Sequence, residues 1–201
     1  MTHLSSKLFA LGLIAASISS FNANAENAND YFIGLDAGAR LTGQIESNTS
    51  DGGSYNSDMS DSLVFGLRAG TIVNNTHKFS IGYEFRGTGE DGSTYAMYNN
   101  TVFGKYDYIV PISENLGWTI GGKLGYEMLS DNEESSKIEE LNGIVVGAQT
   151  GLNYRFDKFS IGTELSYLHH TGEFEASSDY GSVSAKIGDE TLLMTNVEYH
   201  F

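Results

Sequence analysis

The chain has 201 residues, enough for one domain, and its hydrophobic fraction of 40% is that of a globular chain rather than a helical membrane protein. Twenty-four glycines, one proline, 12 tyrosines and 11 phenylalanines favour many short strands joined by turns, because aromatics suit pleated surfaces and glycine suits tight places. The lack of cysteine excludes a disulfide framework and a thiolate metal site, and the net charge of −15 argues against nucleic acid as a partner.

Residues 1–25 read as a secretory signal peptide and not as part of the fold. Lys7 is the only lysine or arginine there, residues 8–19 form a short apolar run, and Ala23-Asn24-Ala25 is a small-x-small cleavage site. The run is too short for a spanning helix, which needs ~20 apolar residues, and no later stretch is long enough either. Cleavage leaves a domain of residues 26–201 with 10 bases against 26 acids, a net charge of −16.

From residue 31 the mature chain alternates with a period of two, the signature of a strand with one apolar and one polar face. Strand one sets Tyr31, Ile33, Leu35, Ala37, Ala39 and Leu41 against Phe32, Gly34, Asp36, Gly38 and Arg40; residues 43–61 read as a long polar loop. Strand two places Leu63, Phe65, Leu67 and Val73 opposite Val64, Arg68 and Ile72, and residues 74–77 form a short turn. Strand three opposes Phe79, Ile81, Tyr83 and Phe85 to Ser80, Glu84 and Arg86, with Lys78 on the same polar side, before a second loop over 87–94.

Strand four puts Val102, Tyr106, Tyr108 and Val110 opposite Phe103, Lys105, Asp107 and Ile109. After a turn at 111–115, strand five sets Leu116, Trp118, Ile120, Leu124, Tyr126 and Met128 against Thr119, Lys123 and Glu127. A third loop over 130–142 leads to strand six, with Ile144, Val146, Leu152, Tyr154 and Phe156 on one side and Gln149, Asn153 and Arg155 on the other. Asp157-Lys158 is a hairpin turn, and strand seven opposes Phe159, Ile161, Leu165 and Tyr167 to Ser160, Glu164 and Ser166. Residues 169–188 read as a fourth loop. The last strand sets Leu193, Val197, Tyr199 and Phe201 against Met194, Asn196, Glu198 and His200.

Alternation alone also fits a soluble barrel with its apolar face inward. Three features point the other way. The apolar faces carry no Asp, Glu, Lys or Arg, as a lipid-facing surface requires, since Arg or Lys at the bilayer midplane costs ~2–4 kcal/mol. The polar faces carry a near-balanced set that a narrow lumen needs to neutralise itself: Arg40, Arg68, Lys78, Arg86, Lys105, Lys123 and Arg155 with Asp36, Glu84, Asp107, Glu127, Glu164 and Glu198. Long connections also alternate with short ones, as in barrels with long external loops and short periplasmic turns. Tyr31, Tyr108, Trp118, Phe156, Phe159, Tyr199 and Phe201 fall near one rim, and Tyr83, Phe85, Tyr126 and Tyr167 near the other, as two aromatic girdles would.

The expected fold is therefore all-β, an eight-stranded antiparallel up-and-down transmembrane β-barrel, with both mature termini on the periplasmic side. The alternating end Val197-x-Tyr199-x-Phe201 resembles the C-terminal assembly signal of bacterial outer-membrane β-barrels. Over roughly residues 26–201 the chain resembles the outer-membrane β-barrel domain family, the OmpA/OmpX-type small barrels and opacity-type surface proteins. The resemblance implies residence in the outer membrane of a Gram-negative bacterium, contact with outer-membrane lipid and lipopolysaccharide, and recognition by the β-barrel assembly machinery. It rests on pattern, so it defines architecture better than activity.

No cofactor, metal ligand set or catalytic residue is assigned, and a monomer is expected. The four loops, the fourth counted through Glu190, carry −4, −2, −4 and −4, which suits divalent-cation bridging to lipopolysaccharide, a basic partner, or plain solubility. No loop shows a spaced calcium motif. His169, Thr171 and Glu173 share a face and resemble the His-hydroxyl-Glu logic of lipid A-modifying barrels, though with Thr as the hydroxyl and without the wider motif. His77 and His200 read as rim residues. The favoured role is structural or cell-surface interaction through acidic loops; the alternative is a narrow channel for passive transport, which side chains filling so small a lumen oppose.

Overall fold

The computed structural model describes residues 29–49, 51–59, 62–89, 96–131, 138–178 and 181–201. The proposed signal peptide lies outside them, as do parts of the second and third loops. Among these residues there are twelve strands: β1 (Asp30–Thr42), β2 (Gln44–Thr49), β3 (Ser54–Asp58), β4 (Leu63–Val73), β5 (His77–Gly89), β6 (Ala96–Pro111), β7 (Leu116–Asp131), β8 (Gly143–Phe156), β9 (Phe159–His170), β10 (Glu173–Ser178), β11 (Gly181–Ile187) and β12 (Glu190–His200). One 3-10 turn, Ile138–Leu141, precedes β8.

Eight strands close into an antiparallel barrel in the order β1-β12-β9-β8-β7-β6-β5-β4. Closure joins the first strand to the last, with Ile33 opposite Tyr199 and Leu35 opposite Val197, so no edge is left unpaired in the barrel wall. The short turns follow from residues that tolerate a left-handed backbone. Asn74, Asn75 and Asp157 have φ near +54°, at 53°, 55° and 54°.

Side chains alternate as the strand period requires, and the wetting is inverted. Leu35 is 65% exposed and Leu124 61% exposed on the outside, whereas Arg40, Arg86 and Glu127 are buried within. Such a surface belongs in hydrocarbon, where the closed barrel satisfies every backbone group internally. Inside, the wall is tight. A Cβ on Gly121 would lie 2.4 Å from Asp107 Oδ1, so glycine there makes room for a charged neighbour.

The first and fourth connections differ from expectation, because they are not loops. They fold into β2, β3, β10 and β11, a second antiparallel sheet in the order β10-β11-β2-β3. That order repeats the barrel order of the strands they extend, β9, β12, β1 and β4. The second sheet therefore prolongs one side of the wall beyond the barrel. The Ser, Asn, Asp and Gly that mark these segments as loop also mark exposed strands, and β3 is exposed along its whole length.

Candidate functional site

The site with the most chemistry is the lumen, which is built in layers. At the mouth beside Asp30 and Phe201, Arg155 pairs with Asp30, and Asp30 accepts from His200 Nδ1 at 3.0 Å. Ser160 lies 3.0 Å from His200 Nε2 and donates to Glu198 at 2.9 Å. Glu198 holds Lys78 at 2.6 Å and Arg68 at 2.8 Å. Lys78 also sits 4.6 Å from the centre of the Phe32 ring.

Midway, Arg68 reaches Asp36 at 3.3 Å and Glu164 at 3.8 Å, and Lys105 pairs with Glu164 at 2.5 Å. Gln149 donates to Asp107 at 2.8 Å. Further along, Lys123 pairs with Glu84 at 2.9 Å and lies over the Phe103 ring at 4.5 Å. The last layer joins Arg86 to both Glu127 and Glu190, with Arg40 2.9 Å from Glu190 and His170 between the two carboxylates. Apart from Asp107, which is held by the Gln149 amide, each charge in these layers is thus met by at least one opposite charge, which offsets a desolvation cost of several kcal/mol per ion.

Of the thirteen charges read from the sequence as lumen residues, twelve are buried or nearly so. Arg155 is the exception. Its side chain is 41% exposed at the mouth, where the strand ends and water competes for the guanidinium. Two buried members were missed. Glu190, counted among the outer acids, and His170, placed in the fourth loop, both point inward. The signal was present: His170 shares the parity of Glu164 and Ser166, and Glu190 that of Glu198. His200, read as a rim residue, is buried just inside the mouth, whereas His77 is on the outer rim, bonded to Tyr106 Oη at 2.9 Å.

The lumen is not wholly ionic, as the polar-face pattern had suggested. Val64, Val145, Leu168, Leu192 and Met194 form a buried apolar cluster inside the barrel. A second cluster of Met59, Leu129, Leu141 and Ile187, with Ile45, Phe174 and Ala185 packed on it, lies between the barrel end and the second sheet. The sheet is therefore a cap with an apolar underside. Its other face is polar and acidic, with Glu46, Glu173 and Glu175 on it and Lys186 paired to Glu46 at 3.0 Å. That bond and the charge of Glu46 hold the Lys186 ammonium above its ordinary range.

The outer wall carries two belts. Around the terminal mouth a run of rings passes from Tyr31 to Phe201, Tyr199, Phe159, Phe156 and Tyr154, with centroids 5.2 to 6.5 Å apart. At the cap end Phe85 stacks on Tyr98 at 5.7 Å, and Tyr83 donates to Asn100. Also on this outer face, Asp189 accepts from the Tyr167 hydroxyl and lies 2.7 Å from His169 Nδ1. Those two bonds hold the Asp189 carboxyl below the usual range. The His169, Thr171 and Glu173 arrangement does not assemble a nucleophile: Thr171 Oγ1 donates to the Ile144 carbonyl at 3.1 Å and accepts from the Ile144 N–H at 3.0 Å. A hydroxyl whose proton goes to a backbone carbonyl is not offering it to a base.

A closed eight-strand barrel with an apolar exterior, two aromatic belts and a neutralised lumen defines a transmembrane β-barrel of the outer-membrane type. Its architecture fits the OmpA/OmpX-like small barrels. Among solved structures it is similar to Neisserial surface protein A, with a TM-score of 0.58 and 14% identity over 85% of this chain and 97% of that one. It is also similar to the outer membrane protein OprG from Pseudomonas aeruginosa, with a TM-score of 0.56 and 8% identity over 87% and 97%. Outer membrane protein H of P. aeruginosa follows at 0.51 and 23% over 86% and 99%. At these identities the likeness is one of fold. No protein-family model matches the chain, and no curated protein sequence does.

Proposed function

We propose that this barrel anchors a cell-surface interaction module, the capping sheet, in the outer membrane, with both mature termini in the periplasm. The observation that carries the reading is the asymmetry of the two barrel ends. One end closes in short turns, while at the other two connections build an ordered sheet whose far face is acidic and exposed. A connection that only had to join two strands would need a few residues. Specific roles on a rigid scaffold are carried by such outward segments.

In this reading the barrel acts as a monomer, lipopolysaccharide surrounds the outer belt, and Val197, Tyr199 and Phe201 present the assembly signal to the barrel-assembly machinery. No reaction is assigned to it. The apolar cluster and ion pairs inside the barrel, with the second apolar cluster beneath the cap, count against a passive channel.

The test is to express the protein on a non-adherent Gram-negative strain and score binding to immobilised epithelial-cell and matrix surfaces. A version with residues 44–58 replaced by a two-residue turn is expected to fold and reach the surface but to lose most of the binding. Equal binding by the two versions, or none by either, would remove the surface role.

A further inference from the structure

The cap joins the barrel at four crossings, and all four meet one group of charges. His170 is the last residue of β9 and Glu190 the first of β12, at the crossings to β10 and from β11. Arg40 stands just before the crossing from β1 to β2. Its Nη1 donates to the Met59 carbonyl at 3.1 Å, and its backbone N–H to the Ser62 carbonyl at 3.0 Å, so it also ties down the passage from β3 to β4. Arg40 Nη2 is 2.9 Å from Glu190. Met59 belongs to the apolar underside of the cap.

His170 is the member whose charge is not fixed. Its Nδ1 is 3.3 Å from Glu127 Oε1 and its Nε2 3.4 Å from Glu190 Oε2. Both are ion-pair contacts, not formed hydrogen bonds: a neutral imidazole would turn a lone pair toward one of the two carboxylates, whereas imidazolium presents an N–H side and positive charge to both. The charge balance agrees. Among the described residues, with the mouth group of Asp30, Arg155 and His200 set apart, the lumen holds six lysines and arginines against seven carboxylates, and a proton on His170 makes that sum zero.

The groups facing His170 are Glu127 from β7, Glu190 from β12, Arg86 from β5 and Arg40 from β1. Asp189 lies on the outer side, and β8 presents the apolar Val145 beside it. Three of the crossings also carry a glycine, Gly43, Gly172 and Gly188, and a Cβ on Gly172 would come within 1.9 Å of the Leu141 carbonyl.

We infer that the crossing is a proton-dependent hinge: the doubly protonated His170 clamps the cap onto the barrel mouth, and loss of its second proton releases the cap on its glycine crossings. Protonated, His170 links β9 to β7 and β12, and through Glu190 and Arg40 the link continues to Met59 and the cap core. Deprotonated, it turns one of its two carboxylate contacts from attraction to repulsion in a site that excludes water, where such a change is felt most. The hinge is independent of the surface role, since the cap can unseat with or without a ligand for its outer face.

The experiment uses the full mature barrel, nitrogen-15 labelled, in lipid nanodiscs titrated from mildly acidic to mildly alkaline pH. The ring nitrogens of His170 report its protonation. Amide hydrogen exchange, corrected for its intrinsic pH dependence, reports cap opening at Ile45, Phe174 and Ile187 and barrel opening at Ile33 and Val197. Cap protection is expected to fall roughly tenfold as His170 loses its second proton, the equivalent of one charge-assisted hydrogen bond, with the barrel amides unmoved. In His170→Gln the cap is expected to be loose at every pH. Cap protection that stays constant through the His170 titration, or a fall that persists at the same pH in His170→Gln, overturns the hinge. Should that variant fail to fold, Glu127→Gln is expected to move the opening to lower pH by removing one partner of the imidazolium, and an unmoved midpoint overturns it equally.

Discussion

The barrel wall and the cap are continuations of the same four strands, yet they obey opposite rules. In β1 and β12, Leu35, Leu193 and Val197 face outward while Arg40, Glu190 and Glu198 are buried. In β2 and β11, which extend them, Ile45 and Ile187 turn to the inside, and Glu46 and Lys186 face out. The inward parity changes from even to odd residues across Gly43, where the pairing with β12 is irregular between Arg40 and Thr42, and again across Gly188 and Asp189. A shift of one residue exchanges every side chain between faces. The chain thus passes at two glycine crossings from apolar side chains facing out to apolar side chains facing in, as a change from lipid to water outside would require.

The comparison predicts that similar ion pairs will differ greatly in weight on its two sides. Arg86 is fully buried and serves Glu127, Glu190 and Glu84, so Arg86→Ala should destabilise the barrel by about 3–5 kcal/mol through the carboxylates left unpaired. The urea midpoint in lipid vesicles, followed through Trp118, the single tryptophan, measures it. Lys186→Ala in the half-exposed cap pair should leave that midpoint where it is. Equal shifts would mean that the lumen charges are not a supporting frame.

Next in size is the exterior. Leu35→Arg puts a charge in the middle of the lipid face and should cost about 2–4 kcal/mol in the same assay, whereas Tyr55→Arg, at a position 72% exposed on β3, should stay within about 0.5 kcal/mol. If both were tolerated, the apolar exterior would not be facing a bilayer.

The contrast also explains what could be read from the sequence. Eight strands and their faces were legible because lipid on one side and packed ions on the other leave almost no tolerance in the alternation: no charged residue interrupts the outward positions of β1, from Ile33 to Leu41. In the cap the strands are short and β3 is exposed along its whole length, so Gln44–Thr49 and Ser54–Asp58 carry the same serines and asparagines as a loop. The inward apolar residues Val145, Leu168 and Leu192 were lost for a different reason. A strand with apolar residues on both faces has no period-two signal, and β8, β9 and β12 lose theirs near the cap, where the lumen changes from ionic to apolar. Glu190 and His170 fell outside the strands for the same cause, since the alternation that would have continued to them was blurred by these neighbours.

The smallest effect is expected at the crossing's outer face, where Asp189 accepts from Tyr167 and sits against His169. Because its folded pKa lies below its unfolded value, Asp189 contributes stability that is present above the unfolded pKa and lost as the pH falls through the folded one. Both partners in the His169 contact are well exposed, at 64% and 45%, so solvent screening leaves at most a few tenths of a kcal/mol. Asp189→Asn should therefore barely move the neutral-pH unfolding midpoint, and even that difference should vanish in acid, where the wild-type carboxylate is also neutral. A loss as large as that of Arg86→Ala would place Asp189 within the ionic frame, and the boundary between lipid-ruled wall and water-ruled cap would then lie further out than the glycine crossings.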